Sequence, residues 1–192
     1  MVDVNDLLDE IGLDKNLELD QIPAIDLYMD QVIQLFENAF AEAKRNEEEK
    51  ILTKTMINNY AKDRLFFPVK KKKYTREHLI LLSLIYQLKG TLTIGDIKGI
   101  LNGINEETVQ GNLDLEEFYS AYLNLAAQNT AIFRDEVVSH GNSAAKERAA
   151  IKGGDGDIEK VLLIASLANM SNMYKRLAER LADTLAVIDK EE

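Results

Sequence analysis

The side chains with the most to offer chemically lie close together in the chain. Along residues 52–64, LTKTMINNYAKDR, the polar groups Lys54, Thr55, Asn58, Asn59 and Lys62 fall at spacings of one, three and four, with Arg64 just beyond them. In a helix this spacing gathers them on one side and turns Met56, Ile57, Tyr60 and Ala61 to the other. An Asn amide on such a face can hydrogen-bond an adenine edge in a major groove about 12 Å wide, and lysine ammonium groups neutralise phosphates. Residues 68–76, PVKKKKYTR, then supply Lys70, Lys71, Lys72, Lys73, Tyr74 and Arg76. Consecutive lysines grip a polyanion backbone and add affinity without reading sequence. Tyr60 and Tyr74 suit core positions whose hydroxyls reach outward toward phosphate. Standing alone, a lysine run is more often a solvated loop. Its position here, after a polar helix face and before an apolar helix, separates it from that case.

The charge distribution points the same way. Residues 51–90 hold nine Lys and Arg against Asp63 and Glu77, an excess of +7 in a chain of net charge −10, so the remainder carries −17. A uniformly acidic surface would repel nucleic acid and anionic membranes, whereas segregation places a basic patch on an acidic body.

Other chemistries find little support. Cysteine is absent, which excludes disulfides and thiolate metal sites or nucleophiles and fits a reducing cytosol. His78 and His140 lack HExxH spacing, so no zinc site is expected. KGGDGD at 152–157 has neither the ending of a phosphate loop nor EF-hand spacing, and reads as a flexible hinge. Glu116 and Glu117 are one acidic pair among many, and Ser120, Ser139 and Ser143 have no GxSxG context. No catalytic residue, cofactor or metal is expected. The acidic start MVDVNDLLDE lacks the basic and apolar regions of a signal peptide. LILLSLIY at 79–86 and VLLIASLANM at 161–170 reach about half of the ~20 residues needed to cross a bilayer. The expectation is a cytoplasmic protein with no membrane partner.

The elements that must position these groups are nearly all helical, in an all-α, mainly helical fold. With 192 residues, 46% of them hydrophobic, the chain can build one sizeable core or a small domain with a helical extension. Residues 5–11 form a short helix closed by Gly12. After Pro23 a helix over about 24–45 carries an apolar stripe of Leu27, Tyr28, Val32, Leu35, Phe36, Ala39 and Phe40. Thr53 or Thr55 caps a short helix to about Asp63. Residues 65–74, containing Pro68, form a loop or short ribbon. Thr75 caps an apolar helix through Leu88, and Gly90 stops it. Thr93 starts the next helix, with Asp96 three residues on as a shortened capping box. Two long helices follow, at 114 to about 139 and about 157 to 189. A polar connection containing His140, Gly141, Gly153, Gly154 and Gly156 joins them. The last helix carries a stripe from Ile158 to Ile188. No internal repeat is present.

Ile57 and Tyr60 on the polar-faced helix, the step from Leu65 to Pro68, a basic loop ending in Tyr74, and Gly90, Leu92, Ile94, Ile97, Ile100 and Leu101 together form a pattern. That pattern, residues 52–101, resembles the winged helix-turn-helix of the MerR family of bacterial transcriptional regulators. Asn58 stands where that family has Arg, Asn59 replaces its first Tyr and Arg64 replaces a glycine. A longer 24–45 segment with an acidic linker replaces its short first helix. DLYMDQV at 26–32, LTKTMINNY at 52–60 and KKYTREH at 72–78 are more closely similar to bacterial domain-of-unknown-function family 1836, which shares this core. The resemblance covers about residues 24–103 and implies a fold without an activity.

The resulting expectation is a sequence-specific regulator that binds double-stranded DNA. Residues 1–23 are an N-terminal arm, 24–110 the winged helix-turn-helix domain and 111–192 a helical region. In that domain 53–63 is the recognition helix and 68–74 the wing. The two long helices cannot hide their stripes alone, so they pair with each other, with the domain, or with a second copy. A homodimer through them suits a symmetric site. No effector is identifiable; Met170 and Met173 could line a small-molecule pocket, but core filling is the default for methionine. The alternative is a non-enzymatic helical adaptor whose core binds protein instead of DNA.

Overall fold

Thr53, Thr75, Thr93 and Asp114 each stand in extended backbone immediately before a helix in the computed structural model, which describes residues 4–154 and 156–188, with side chains through Leu185. Thr53 Oγ1 accepts from Met56 N at 3.2 Å, and Asp114 accepts from the amides of Glu116 and Glu117. The shortened box forms as expected, with Thr93 N–H donating to Asp96 at 2.9 Å and Asp96 N–H donating back to Thr93 Oγ1. Each cap satisfies amides that the first helical turn leaves unpaired.

The described chain runs α1 (Asn5–Glu10), β1 (Leu27–Tyr28), α2 (Met29–Phe40) with a 3-10 turn over Ala41–Ala43, α3 (Lys54–Lys62), β2 (Lys73–Tyr74), α4 (Arg76–Leu88), α5 (Ile94–Gln110), α6 (Leu115–Ala150) and α7 (Ile158–Ile188). The fold is mainly helical, as its periodicity requires.

Three boundaries differ from the sequence expectation. The helix expected over 24–45 spans only 29–40, because Leu27 and Tyr28 instead pair antiparallel with Tyr74 and Lys73. Pairing buries Leu27 against Tyr74, and Tyr28 becomes the N-cap of α2, its N–H donating to Gln31 Oε1 at 2.9 Å. The helix expected to stop near 139 continues through His140 and Gly141 to Ala150. A single glycine costs a helix about 1 kcal/mol, and Val137 and Ala144 on either side are buried against α7. The connection shrinks to 151–157, where Arg148 donates to the carbonyls of Ile151 and Gly154. Residue 189, the Ile188 side chain and Asp155 lie outside the described set.

The core also redraws the domains. Leu17 and Ile22, assigned to an arm, are buried with Phe36, Ile57, Leu79, Ile85 and Ile97, and so are Leu115 and Tyr119 of α6. The folded head therefore begins near residue 17 and takes in the first turns of α6. Tyr119 fastens these ends together: its hydroxyl donates to Leu17 O at 2.8 Å and meets Ser83 Oγ on α4 at 2.8 Å. Beyond the head, α6 and α7 fold back on each other and α7 returns to α5. Of the stated pairings, the hairpin therefore forms within the chain. It leaves Leu125 and Ile132 of α6, and Val161, Ile164, Met173, Leu177 and Leu181 of α7, between 55% and 62% exposed.

Candidate nucleic-acid interface

Helix α3 is sorted by burial as its spacing demands. Ile57 is fully buried and Tyr60 nearly so, while Lys54, Thr55, Asn58, Asn59 and Lys62 are all exposed on the opposite side. Ala61, expected inside, is exposed at the edge of that face. The helix ends in a paired hydrogen-bond motif: Leu65 N–H donates to Tyr60 O at 3.0 Å and Arg64 N–H donates to Ala61 O at 3.2 Å. That geometry places Arg64 in the left-handed region, at φ 59°, where glycine is the usual occupant.

The wing has the same peculiarity. Lys73 N–H donates to Lys70 O at 3.0 Å, closing a two-residue turn whose central residues, Lys71 and Lys72, have φ 52° and 61°. Tight hairpins of this kind favour Asn-Gly, since both central residues must be left-handed. Among the described residues, Arg64, Lys71 and Lys72 are the non-glycine positions with positive φ. All three are basic and all three lie at the candidate interface. A side chain pays roughly 1–2 kcal/mol for such a conformation, so this local geometry is costly, and costly backbone concentrates at functional positions.

The N-terminus of α2 joins the two basic elements. Lys54 Nζ lies 3.3 Å from Asp30 in the first turn of α2, and Lys73 Nζ sits 5.5 Å from the centre of the Tyr28 ring at its cap. The ion pair is largely exposed, so Lys54 can exchange Asp30 for a phosphate at little cost. Nearby, Lys70 and Lys73 share a cleft of about 580 Å³ with Asp26, Glu77 and His78. In the turn at 46–49, Glu49 lies near Tyr86 and Lys89 at the far end of α4 and raises the proton affinity of both.

Two expected contact residues are otherwise engaged. Tyr74 is 3% exposed, and burial raises the proton affinity of its phenol. Arg76 pairs with Glu116 at 2.6 Å and donates to the carbonyls of Leu19 and Ile22, so its guanidinium binds the 17–22 segment to α4 and α6. Lys89, part of the +7 segment, donates to Ile51 O at 2.8 Å and lies over Tyr86. Arg76 and Lys89 are therefore engaged by groups of the fold itself. Sequence reading missed Tyr28 and His78. His78 had a local signal, since it stands three residues after the cap Thr75, where a side chain reaches back to the cap amide.

A second cavity, of about 570 Å³, lies between the α4–α5 corner and the hairpin, walled by Phe133, Val137, Leu167, Met170 and Tyr174. Met170 lines it, whereas Met173 faces outward and so does not fill the core either.

A family model described as Domain of unknown function (DUF1836) matches residues 17–122. The match begins at Leu17 and ends at Tyr122, both packed into the head. No curated protein and no solved structure matches the chain.

Proposed function

Proceeding from the fact that the chain belongs to the DUF1836 family, we propose that it is a sequence-specific DNA-binding transcriptional regulator with a MerR-like winged helix-turn-helix core. Helix α3 enters the major groove, with Asn58 and Asn59 meeting base edges. Lys54, Thr55, Lys62 and Arg64 flank them on the backbone, and Lys70–Lys73 track the phosphates of the adjoining stretch. The protein works in the cytoplasm, as a homodimer through its C-terminal helices, and is not an enzyme.

The observation that carries this reading is the coincidence of strain and charge. Arg64, Lys71 and Lys72 hold left-handed backbone that glycine or asparagine would adopt at lower cost, so their cationic side chains must contribute something that folding alone does not require. The test is recovery of genomic fragments bound to the protein, followed by affinity against salt. A motif should be enriched over a mock sample, and log affinity should fall linearly with log salt. Replacing Lys70–Lys73 with alanine should weaken all sequences alike and flatten that slope, whereas Asn58→Ala should relax preference at one or two positions by ~1–3 kcal/mol. Recovery no better than the mock sample would reject the proposal.

One observation favours the alternative of a protein-interaction adaptor: the exposed apolar side chains of Met173, Leu177 and Leu181, four residues apart on one face of α7. Capture of a different protein by that face, without DNA enrichment, would support it.

A further inference from the structure

The lysine wing leaves the head at Phe67 and rejoins it at Thr75, and one side chain holds both ends. Thr75 N–H donates to His78 Nδ1 at 3.1 Å, and His78 Nε2 lies 3.0 Å from the carbonyl oxygen of Phe67. A backbone amide only donates and a carbonyl only accepts, so the ring is neutral and carries its proton on Nε2. It is 2% exposed, packed against the rings of Phe66, Phe67 and Tyr74.

A second proton would have to go on Nδ1, which would then point a donor at the donor of Thr75. Thr75 Oγ1, 2.9 Å away, is the acceptor within reach, and it also bonds Glu77 Oε2. An imidazolium would turn to that hydroxyl and leave the Thr75 amide unpaired in a half-buried site. The surrounding charges are mixed. The Phe67 carbonyl, Glu77 on α4 and Asp26 ahead of β1 favour the cation, while the same cleft is lined by Lys70 and Lys73 of the wing and by the uncharged Thr108 and Val109 of α5. Burial outweighs them and holds the ring's proton affinity below the ordinary histidine value.

We propose that neutral His78 is a proton-sensitive staple closing the base of the lysine wing, so that protonation loosens the 70–73 turn and weakens its grip on phosphate. The last consequence rests on the DNA-binding reading; the staple itself does not. A glutamine at this position is an ordinary capping-box residue, able to accept from Thr75 N–H and unable to titrate.

The experiment follows amide exchange at Lys73, corrected for intrinsic pH dependence, in the full-length protein and in His78→Gln at about pH 7.5 and pH 5.5. Nitrogen NMR of the wild-type ring is recorded in parallel. The expected result is exchange about tenfold faster at the lower pH in the wild type and unchanged in His78→Gln. Equal pH responses in the two proteins would overturn the proposal. So would a neutral-pH ring protonated on Nδ1, a result readable even if the variant does not fold. Binding of random-sequence double-stranded DNA is then compared at both pH values. Absence of binding at either pH would remove the regulator reading and leave the exchange result to judge the staple.

Discussion

Arg64, Lys71 and Lys72 set local stability against charge. If their strained backbone is kept for the side chains it carries, glycine at Arg64, or Asn-Gly at Lys71 and Lys72, should stabilise the fold by about 1 kcal/mol in denaturant unfolding. The same variants should bind DNA less tightly, and the double substitution should reduce the salt slope by about two. Greater stability without weaker binding would disconnect the strain from the interface. His78 makes a second prediction at this scale. Its folded-state proton affinity lies below its ordinary value of 6.5, so the unfolded chain takes up the proton first. The contribution to stability is therefore complete above about pH 6.5 and is lost as pH falls through the lower folded-state value. Denaturant midpoints should drop on acidification across that window, and His78→Gln should drop less.

At the scale of elements, α3 and the wing are held by partners that periodicity does not reveal. Strand β1 pairs with β2, so the entry to α2 and the exit of the wing share one ladder. The hydroxyl of Tyr119 is the corresponding link between segment 17–22, α4 and α6. Burial drives its proton affinity strongly upward, and its two hydrogen bonds connect groups far apart in the chain. Tyr119→Phe removes the hydroxyl and leaves the Leu17 carbonyl and Ser83 without this partner, at a cost of about 1–3 kcal/mol. Thermal unfolding would measure it. A loss near zero would mean that water replaces the hydroxyl.

Across the whole molecule, the hairpin of α6 and α7 leaves an apolar row facing outward after its internal pairing is complete. Met173, Leu177 and Leu181, four residues apart on one face of α7 and each more than half exposed, form an apolar surface of the kind that marks an interaction site. Leu177→Glu with Leu181→Glu should convert a dimer to a monomer in analytical ultracentrifugation while leaving helix content unchanged. It should also weaken binding to a two-half-site operator more than to a single half-site. A wild-type monomer at micromolar concentration would argue for a different occupant.

The sequence by itself determined the helical class, the caps at Thr75 and Thr93, a cap for α3 at Thr53 or Thr55, the polar face of α3 and the basic excess between 51 and 90; the structure chose Thr53 and added Asp114. These are local properties: side-chain spacing, capping chemistry and charge can be read without knowing what lies opposite. Only the tertiary structure decided that Leu27 and Tyr28 form a strand, that Leu17 belongs to the core and that α6 runs through Gly141 to Ala150. It also engaged Arg76 and Lys89 within the fold, buried Tyr74 and placed His78 between the two ends of the wing. Each of these depends on a partner distant in sequence, because hydrogen-bonding and burial demands at those positions are met across the fold. Local preference yields wherever such a partner is available.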